Sequence, residues 1–267
     1  MSYIQNAKKS LGQNFLTDQN IIKKIVDIGN VNKNKIILEI GAGYGSLTNL
    51  INSKNPKKII AYEKDKKLAS FLKVKFENQD NVKIIQQDIL NAIGNKFENN
   101  VTVFGNLPYN ISTQILASLI MLEKWPPWYE ALILMFQKEV ADRIVASKQT
   151  NDYGRLSILS NWSLEIKKHF NISKNSFFPK PKINSTLLSF KPKKTNQFNL
   201  KNPNNLEKIT RILFSNRRKM INKNFGKLFE KKIFYAKKLN IDLSKRPEEL
   251  SPETFYEIAI QYEKLLD

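Results

Sequence analysis

Ile36-Ile37-Leu38-Glu39-Ile40-Gly41-Ala42-Gly43-Tyr44-Gly45-Ser46 runs from an apolar stretch through three alternating glycines into a helical pattern. Ile36 to Ile40 reads as a strand buried on both faces. Ser46, Leu47, Leu50 and Ile51 carry the spacing of a helix. Glycines between the two let the backbone come close to a ligand. The spacing is G-x-G-x-G, with Ser46 where a dinucleotide fingerprint has its third glycine, so the turn alone does not name the ligand.

The same alternation continues outward. Lys58 to Glu63 reads as a strand and Asp65 to Phe76 as a helix. Val82 to Ile85 is a third strand, closing near Asp88, and Val101 to Phe104 a fourth. Ser112 to Leu122 is helical and Ala131 to Phe136 a fifth strand. Strand and helix in turn predict an α/β fold, a parallel sheet covered by helices on both faces. Strand C-termini in such a sheet open onto one crevice, where ligands bind.

Towards the N-terminus, residues 1–9 form a flexible basic arm, and Ser10 to Leu16 has no clear period. Asp18 is placed to cap an amphipathic helix through Ile21, Ile22, Ile25, Val26 and Ile28. Towards the C-terminus, helices are expected from Lys138 and over Tyr153 to Trp162. Late strands fit Leu164–Phe170 and Ser185–Phe190, with a stiff aromatic-proline loop at Phe177 to Pro181 between them. Residues 191–205, with Pro192 and Pro203, read as a linker, and 206–267 show helical period only. The expected domains are therefore a catalytic one over 1–195 and a small helical one over 206–267.

Composition narrows the chemistry. The chain has 267 residues with 44 Lys+Arg against 24 Asp+Glu, a net charge of +20 that calls for a polyanionic partner, nucleic acid first. No apolar run is long enough to span a membrane, and Met1 to Lys9 has no apolar signal core, so a cytoplasmic protein is expected. The absence of cysteine removes thiolate catalysis, disulfides and cysteine-based zinc sites. The single histidine, His169, stands among charges and is expected to be a solvated surface residue; no metal site is expected.

The strand ends carry the site. Glu63 ends its strand 18 residues past Gly45, where a carboxylate can accept both hydroxyls of a ribose. A nicotinamide enzyme would show the same acid. Asp88 ends the third strand, where an acid can take a proton from an adenine amine. Asn106 ends the fourth, followed by Leu107, Pro108 and Tyr109. One amide, one rigid turn and one aromatic suit a flat, hydrogen-bonding ring. Carbonyls of the Asn106 side chain and the adjacent backbone can accept both protons of an exocyclic amine. The Tyr109 ring can stack on the base, a contact worth roughly 1–3 kcal/mol in single-strand recognition.

Leu11-Gly-Gln-Asn-Phe-Leu16, Glu39 to Gly45, Asn106 to Ile111, Gln137 to Arg143, Tyr153 to Ser157, Phe177 to Ile183, Arg217 to Lys219 and Arg246 to Ser251 occur in order along nearly the whole chain. In these runs the chain resembles the S-adenosylmethionine-dependent ribosomal RNA adenine dimethyltransferases, and among them the small-subunit branch. Ala42 and Tyr44 depart from the Pro and Leu common in that family. The resemblance implies a Rossmann-like methyltransferase fold, a mostly parallel seven-stranded sheet with a small C-terminal helical domain. It implies that Asn14, Leu16, Gly41, Glu63, Asp88 and Asn106 hold S-adenosylmethionine, with no metal. Asn14 and Leu16 come from the resemblance alone. Asn106, Leu107, Pro108 and Tyr109 are then the catalytic run, with Tyr109 and Phe177 sandwiching a flipped adenine. The implied partner is 16S rRNA in the small ribosomal subunit or its precursor, met by a monomer and linked to small-subunit biogenesis.

The basic residues gather. Residues 208–238 hold eleven Lys/Arg against Glu230 alone, and 167–194 hold eight Lys and no acid. Arg217, Arg218, Lys219 and Lys223 are the expected RNA contacts. The alternatives are an Erm-type large-subunit adenine methyltransferase, or a relative that binds nucleic acid as a transcription factor. Leu107, where Erm proteins usually have Ile, and the Arg246-Pro-Glu-Glu-Leu250 run favour the small-subunit branch.

Overall fold

The computed structural model describes residues 8, 12–95, 97–194 and 198–266. Apart from Lys8, the basic arm lies outside them. The chain opens with β1 (Phe15–Leu16) and α1 (Gln19–Ile28). Asp18 caps α1 as expected, its carboxylate accepting from the Asn20 and Ile21 N–H groups at 3.0 and 3.2 Å. Three strand–helix units and one further strand follow: β2 (Ile36–Ile40) and α2 (Ser46–Asn52), β3 (Lys58–Glu63) and α3 (Lys66–Lys75), β4 (Val82–Gln86), then β5 (Val101–Asn106) and α4 (Ser112–Ile120). The chain continues through β6 (Tyr129–Gln137), α5 (Lys138–Val145), α6 (Arg155–Ser163), β7 (Leu164–Ile172), β8 (Phe177–Phe178) and β9 (Ser185–Pro192). It ends in α7 (Asn204–Leu213), α8 (Asn222–Phe225), α9 (Lys232–Lys238) and α10 (Pro252–Glu263).

Seven strands form one sheet in the order β4-β3-β2-β5-β6-β9-β7. The pairs β2–β3, β2–β5, β3–β4 and β5–β6 are parallel, and β6–β9 is antiparallel. Strand order reverses direction between β2 and β5, the switch point at which such sheets bind ligands. Helices α1 and α2 bury Ile22, Ile25, Val26, Leu47 and Ile51 against Ile37, Ile59, Phe104 and Ile133 of the sheet. A smaller core joins Ala61 to Leu72 and Phe76 beside α3. Each fully buried side chain of this size contributes about 1.5–3 kcal/mol, so the sheet is a rigid support for its loops.

Two elements differ from the sequence reading. Phe15–Leu16, which has no period, is a strand, and it pairs antiparallel with Phe177–Phe178 inside the aromatic-proline loop. Two-residue strands carry too little pattern to be seen. Pairing also sorts the two rings, because successive strand residues face opposite ways: Phe177 is 4% exposed and Phe178 45%.

The chain divides into two compact units. The first holds 1–119, 126–141 and 166–192, and so the sheet; the second holds 120–125, 142–165 and 193–267. The boundary at 193 falls within the expected linker. The second unit also takes two earlier segments, which a cut along the sequence leaves in the first domain. Within it Arg155 is ion-paired with Glu207, the Tyr153 hydroxyl donates to the Leu250 carbonyl at 3.0 Å, and the Tyr256 hydroxyl to the Ile158 carbonyl at 2.9 Å. Those bonds tie 153–158 to the C-terminal helices. Among the described residues no helix is long and apolar enough to cross a membrane.

Candidate active site

The C-terminal ends of β2, β3, β4 and β5 surround one cavity of the first unit, about 910 Å³ with its mouth included. Gly41, Gly43, Glu63, Asp88, Asn106, Leu107, Pro108 and Tyr109 line it. The predicted strand-end residues are therefore brought together.

The glycine turn forms one wall. Gly41, Gly43 and Gly45 all have positive φ, at 73°, 58° and 73°. A β-carbon on Gly43 would stand 2.9 Å from the Phe15 ring, whereas one on Gly41 would meet only the Asn106 carbonyl, at 3.8 Å. Gly43 is thus required by packing, and Gly41 leaves open space towards the cavity. Beneath the turn Glu39 is buried, accepting from the Thr48 hydroxyl at 2.6 Å. Burial pushes its carboxyl up to about 8.

Glu63 is held by two main-chain donors. Gly43 N–H reaches one carboxyl oxygen at 2.9 Å and Asp65 N–H the other at 2.8 Å. Each oxygen keeps a lone pair for a ligand hydroxyl. Burial raises the Glu63 pKa, and those N–H groups oppose the rise. Asp88 is less free than its sequence position implies. One of its oxygens caps the Leu90 N–H at 3.1 Å and the other meets the Lys64 ammonium at 2.8 Å. Burial acts to raise its pKa, but Lys64 and the Leu90 N–H outweigh burial and hold the carboxyl below its usual range.

Asn106 is oriented from outside the sheet. Its side-chain N–H donates to the Asn14 carbonyl at 2.7 Å, which leaves its own carbonyl oxygen unclaimed by that bond. Asn14 thus bears on the site through its main chain. The Leu107 side chain is buried, 1% exposed, and Pro108 fixes the following turn. The half-buried Tyr109 places its hydroxyl 2.6 Å from Ser185 Oγ on β9. Burial raises the phenol pKa, against the Ser185 hydrogen bond.

Two expected site residues, Leu16 and Phe177, do not line the cavity, and His169 also differs from its expected setting. Leu16 is 5% exposed and its side chain belongs to the core, paired with Phe177 across β1 and β8. Phe177 is sealed in the same core, so it does not offer a face to a base where it stands; Phe178 is the exposed ring of the pair. His169 is half-buried rather than solvated, bonded to Ser189 Oγ at 2.7 Å, with its pKa lowered by burial. It sits on β7, away from the cavity. Gly12, Gln13, Phe15, Lys64, Gln87 and Asn110 line the cavity and were not singled out as sites. Lys64 follows Glu63 directly, and Gln87 precedes Asp88, so adjacency to the strand-end acids was an available signal.

The basic residues of the second unit separate into two kinds. Arg217 Nε donates to Glu248 at 2.8 Å and its terminal nitrogen to the Asn151 carbonyl at 2.6 Å. It is a fastening within the unit. Arg218, Lys219 and Lys223 are exposed. No group of three or more metal-ligating side chains occurs among the described residues.

A strand-end cavity lined by a glycine turn, a buried carboxylate and an Asn-Leu-Pro-Tyr run, on a mostly parallel seven-stranded sheet, is the arrangement of a Rossmann-like fold suited to a nucleotide-type ligand. A sequence profile of the ribosomal RNA adenine dimethylases matches residues 4–264, and the chain belongs to that family of S-adenosylmethionine-dependent enzymes. It is 50% identical over 260 residues to a Pelagibacter ubique protein called ribosomal RNA small subunit methyltransferase A, covering 97% of this chain and 98% of the relative. Among solved structures it resembles a dimethyladenosine transferase from Plasmodium falciparum, with a TM-score of 0.79 and 26% identity over 94% of this chain and 98% of the other. The 23S rRNA methyltransferase ErmE shares the fold, with a TM-score of 0.68 and 20% identity over 93% of this chain and 99% of that one.

Proposed function

We propose that this chain methylates the N6 amines of two adjacent adenosines in a hairpin loop near the 3′ end of 16S rRNA, within the small ribosomal subunit or its precursor. The product is N6,N6-dimethyladenosine. The observation that carries the reading is the Asn106 amide, fixed by Asn14 at the edge of the cavity beside Leu107, Pro108 and Tyr109. The 50% identity to a small-subunit rRNA methyltransferase supports the choice of subunit.

The residues present suit S-adenosylmethionine. The doubly oriented Glu63 carboxylate accepts the ribose hydroxyls, Asp88 and its neighbours receive the adenine amine, and Gly41 leaves room for the methionine end. When bound, S-adenosylmethionine supplies an electrophilic methyl on a sulfonium. The protein's part is positioning and electrostatics. The carbonyls of Asn106 and Leu107 hold the two amine protons, which pulls the nitrogen lone pair out of conjugation and aims it at the methyl. Tyr109, tethered by Ser185, stacks on the base. As the nitrogen–carbon bond forms, the methyl–sulfur bond breaks and S-adenosylhomocysteine leaves; the nitrogen, now cationic, gives up one proton to solvent. A pocket that tolerates the singly methylated amine would permit the second transfer. Arg218, Lys219 and Lys223 dock RNA phosphates. We place the enzyme in the cytoplasm as a monomer, without metal.

Incubation with labelled S-adenosylmethionine and undermethylated small or large subunits tests this. Label is expected on two adjacent small-subunit adenosines. Label on a large-subunit adenine would overturn the choice of substrate, and none on either would overturn the activity.

A further inference from the structure

We propose that Lys8 is a positioning residue that clasps Gln13 and the neighbouring lining residues at the cofactor cavity through Asp65. The inference rests on the cavity being the S-adenosylmethionine site.

Residues 12–15 cross the cavity wall: Gly12, Gln13, Asn14 and Phe15 all line it. Their contacts are described above, with Asn14 on Asn106 and Phe15 against Gly43. Phe15 also packs edge-on to Tyr44, ring centroids 4.6 Å apart. A further tie is Lys8. Its ammonium lies 2.7 Å from Asp65 Oδ2. Its own N–H donates to Gln13 Oε1 at 2.8 Å, which orients a side chain of the cavity lining.

The pair is unequal in exposure. The Lys8 side chain is 49% exposed and that of Asp65 only 3%. A pair exposed on both sides and at longer range, such as Lys54 with Asp27 at 3.6 Å, gains little. A carboxylate this buried needs its partner. Asp65 Oδ1 is already occupied, capping α3 through Lys67 and Leu68 N–H. Oδ2 is the oxygen that Lys8 serves. Asp65 N–H in turn donates to Glu63, and Glu63 accepts from Gly43. One polar chain therefore joins Lys8, Asp65, Glu63 and the glycine turn. Pulling Lys8 away releases Gln13 and leaves Asp65 Oδ2 without that partner, next to the carboxylate that holds the ribose.

The sign of the effect separates a clasp from a simple charge. S-adenosylmethionine carries a sulfonium cation. If Lys8 acted only as a nearby positive charge, its removal would tighten binding. A clasp predicts the reverse.

The experiment is calorimetric titration of S-adenosylmethionine into the full chain, with methyl transfer measured at saturating cofactor. Lys8→Met and Asp65→Asn should each weaken binding by roughly fivefold or more, a usual size for coupling between sites. Asn at 65 retains an oxygen for the α3 cap, and unchanged melting would exclude unfolding as the cause. The double variant should be no worse than either single one, and Lys8→Arg should bind as wild type. The maximal rate should stay within about twofold, since coupling through the cofactor acts on affinity. Unchanged or tighter binding by Lys8→Met, or multiplicative effects in the double variant, would overturn the clasp while leaving the cofactor site standing. A wild-type chain that took up no S-adenosylmethionine would overturn both.

Discussion

The side-chain amide of Asn106 donates to the main-chain carbonyl of Asn14 at 2.7 Å, across 92 residues of sequence. That bond decides which end of the amide serves the substrate. The N–H₂ is spent on Asn14, so the carbonyl is the end available to an amine. Asn106→Ala should lower methyl transfer by about 10²–10³-fold, the usual cost of removing one oriented polar group, with the melting temperature little changed. Asn106→Asp should be as damaging, because a carboxylate oxygen would face the Asn14 carbonyl. Single-turnover rates on undermethylated subunits check both; wild-type turnover in Asn106→Ala would remove the assignment.

Glu63 accepts from two N–H groups at once. Glu63→Gln turns one of those acceptors into a donor, so an N–H of Gly43 or Asp65 would meet an N–H₂. Loss of cofactor affinity by roughly tenfold or more is expected from one unmade hydrogen bond plus a displaced ribose contact. Equilibrium binding of S-adenosylmethionine measures it, and affinity equal to wild type would sink the ribose role.

Glu39 sets a pH dependence. In the folded chain its proton is held up to about 8, against 4.5 without the burial. A raised carboxyl stabilises the folded state fully below pH 4.5, and the contribution is lost as pH rises through 8. The wild type should therefore lose thermal stability relative to Glu39→Gln between those values. Parallel melting curves for the two proteins across that range would show it, since other titrating groups are common to both.

Arg217 and Arg218 are adjacent but should behave oppositely. Arg217→Ala breaks bonds to Glu248 and the Asn151 carbonyl and should destabilise by about 1–3 kcal/mol. Arg218→Ala should leave stability unchanged, weaken RNA binding and reduce the steepness of its salt dependence by about one charge. Denaturant melts and binding isotherms at two salt concentrations distinguish them.

The two rings at Phe177 and Phe178 make a similar contrast. Phe177→Ala opens a cavity in the core and should cost about 3–5 kcal/mol, whereas Phe178→Ala should cost little, its ring being exposed. If Phe177→Ala melted like wild type and lost only turnover, the ring would belong to the active site after all.

Much of the architecture was legible because its signals are local. The β2–α2 and β3–α3 units carry a period, and parallel pairing follows from alternation. Asp18 was legible as a cap because a cap needs only its own next two or three residues. Features that depend on distant partners were not. The strand at Phe15–Leu16 exists by pairing with Phe177–Phe178. The second unit gathers 120–125 and 142–165 with the C-terminal helices by packing, which no linker composition announces.

The same line divides the site. By itself the sequence determined that Gly41, Glu63, Asp88 and Asn106 end four successive parallel strands, and chain geometry alone sends such ends to one crevice. Only the tertiary structure decided what each group is free to do there. Lys64 occupies an oxygen of Asp88, Asn14 turns the amide of Asn106, and Arg217 is spent within its own unit. A strand period fixes where a side chain starts, whereas its hydrogen-bond partners arrive from elsewhere in the chain, and only folding brings them within 3 Å.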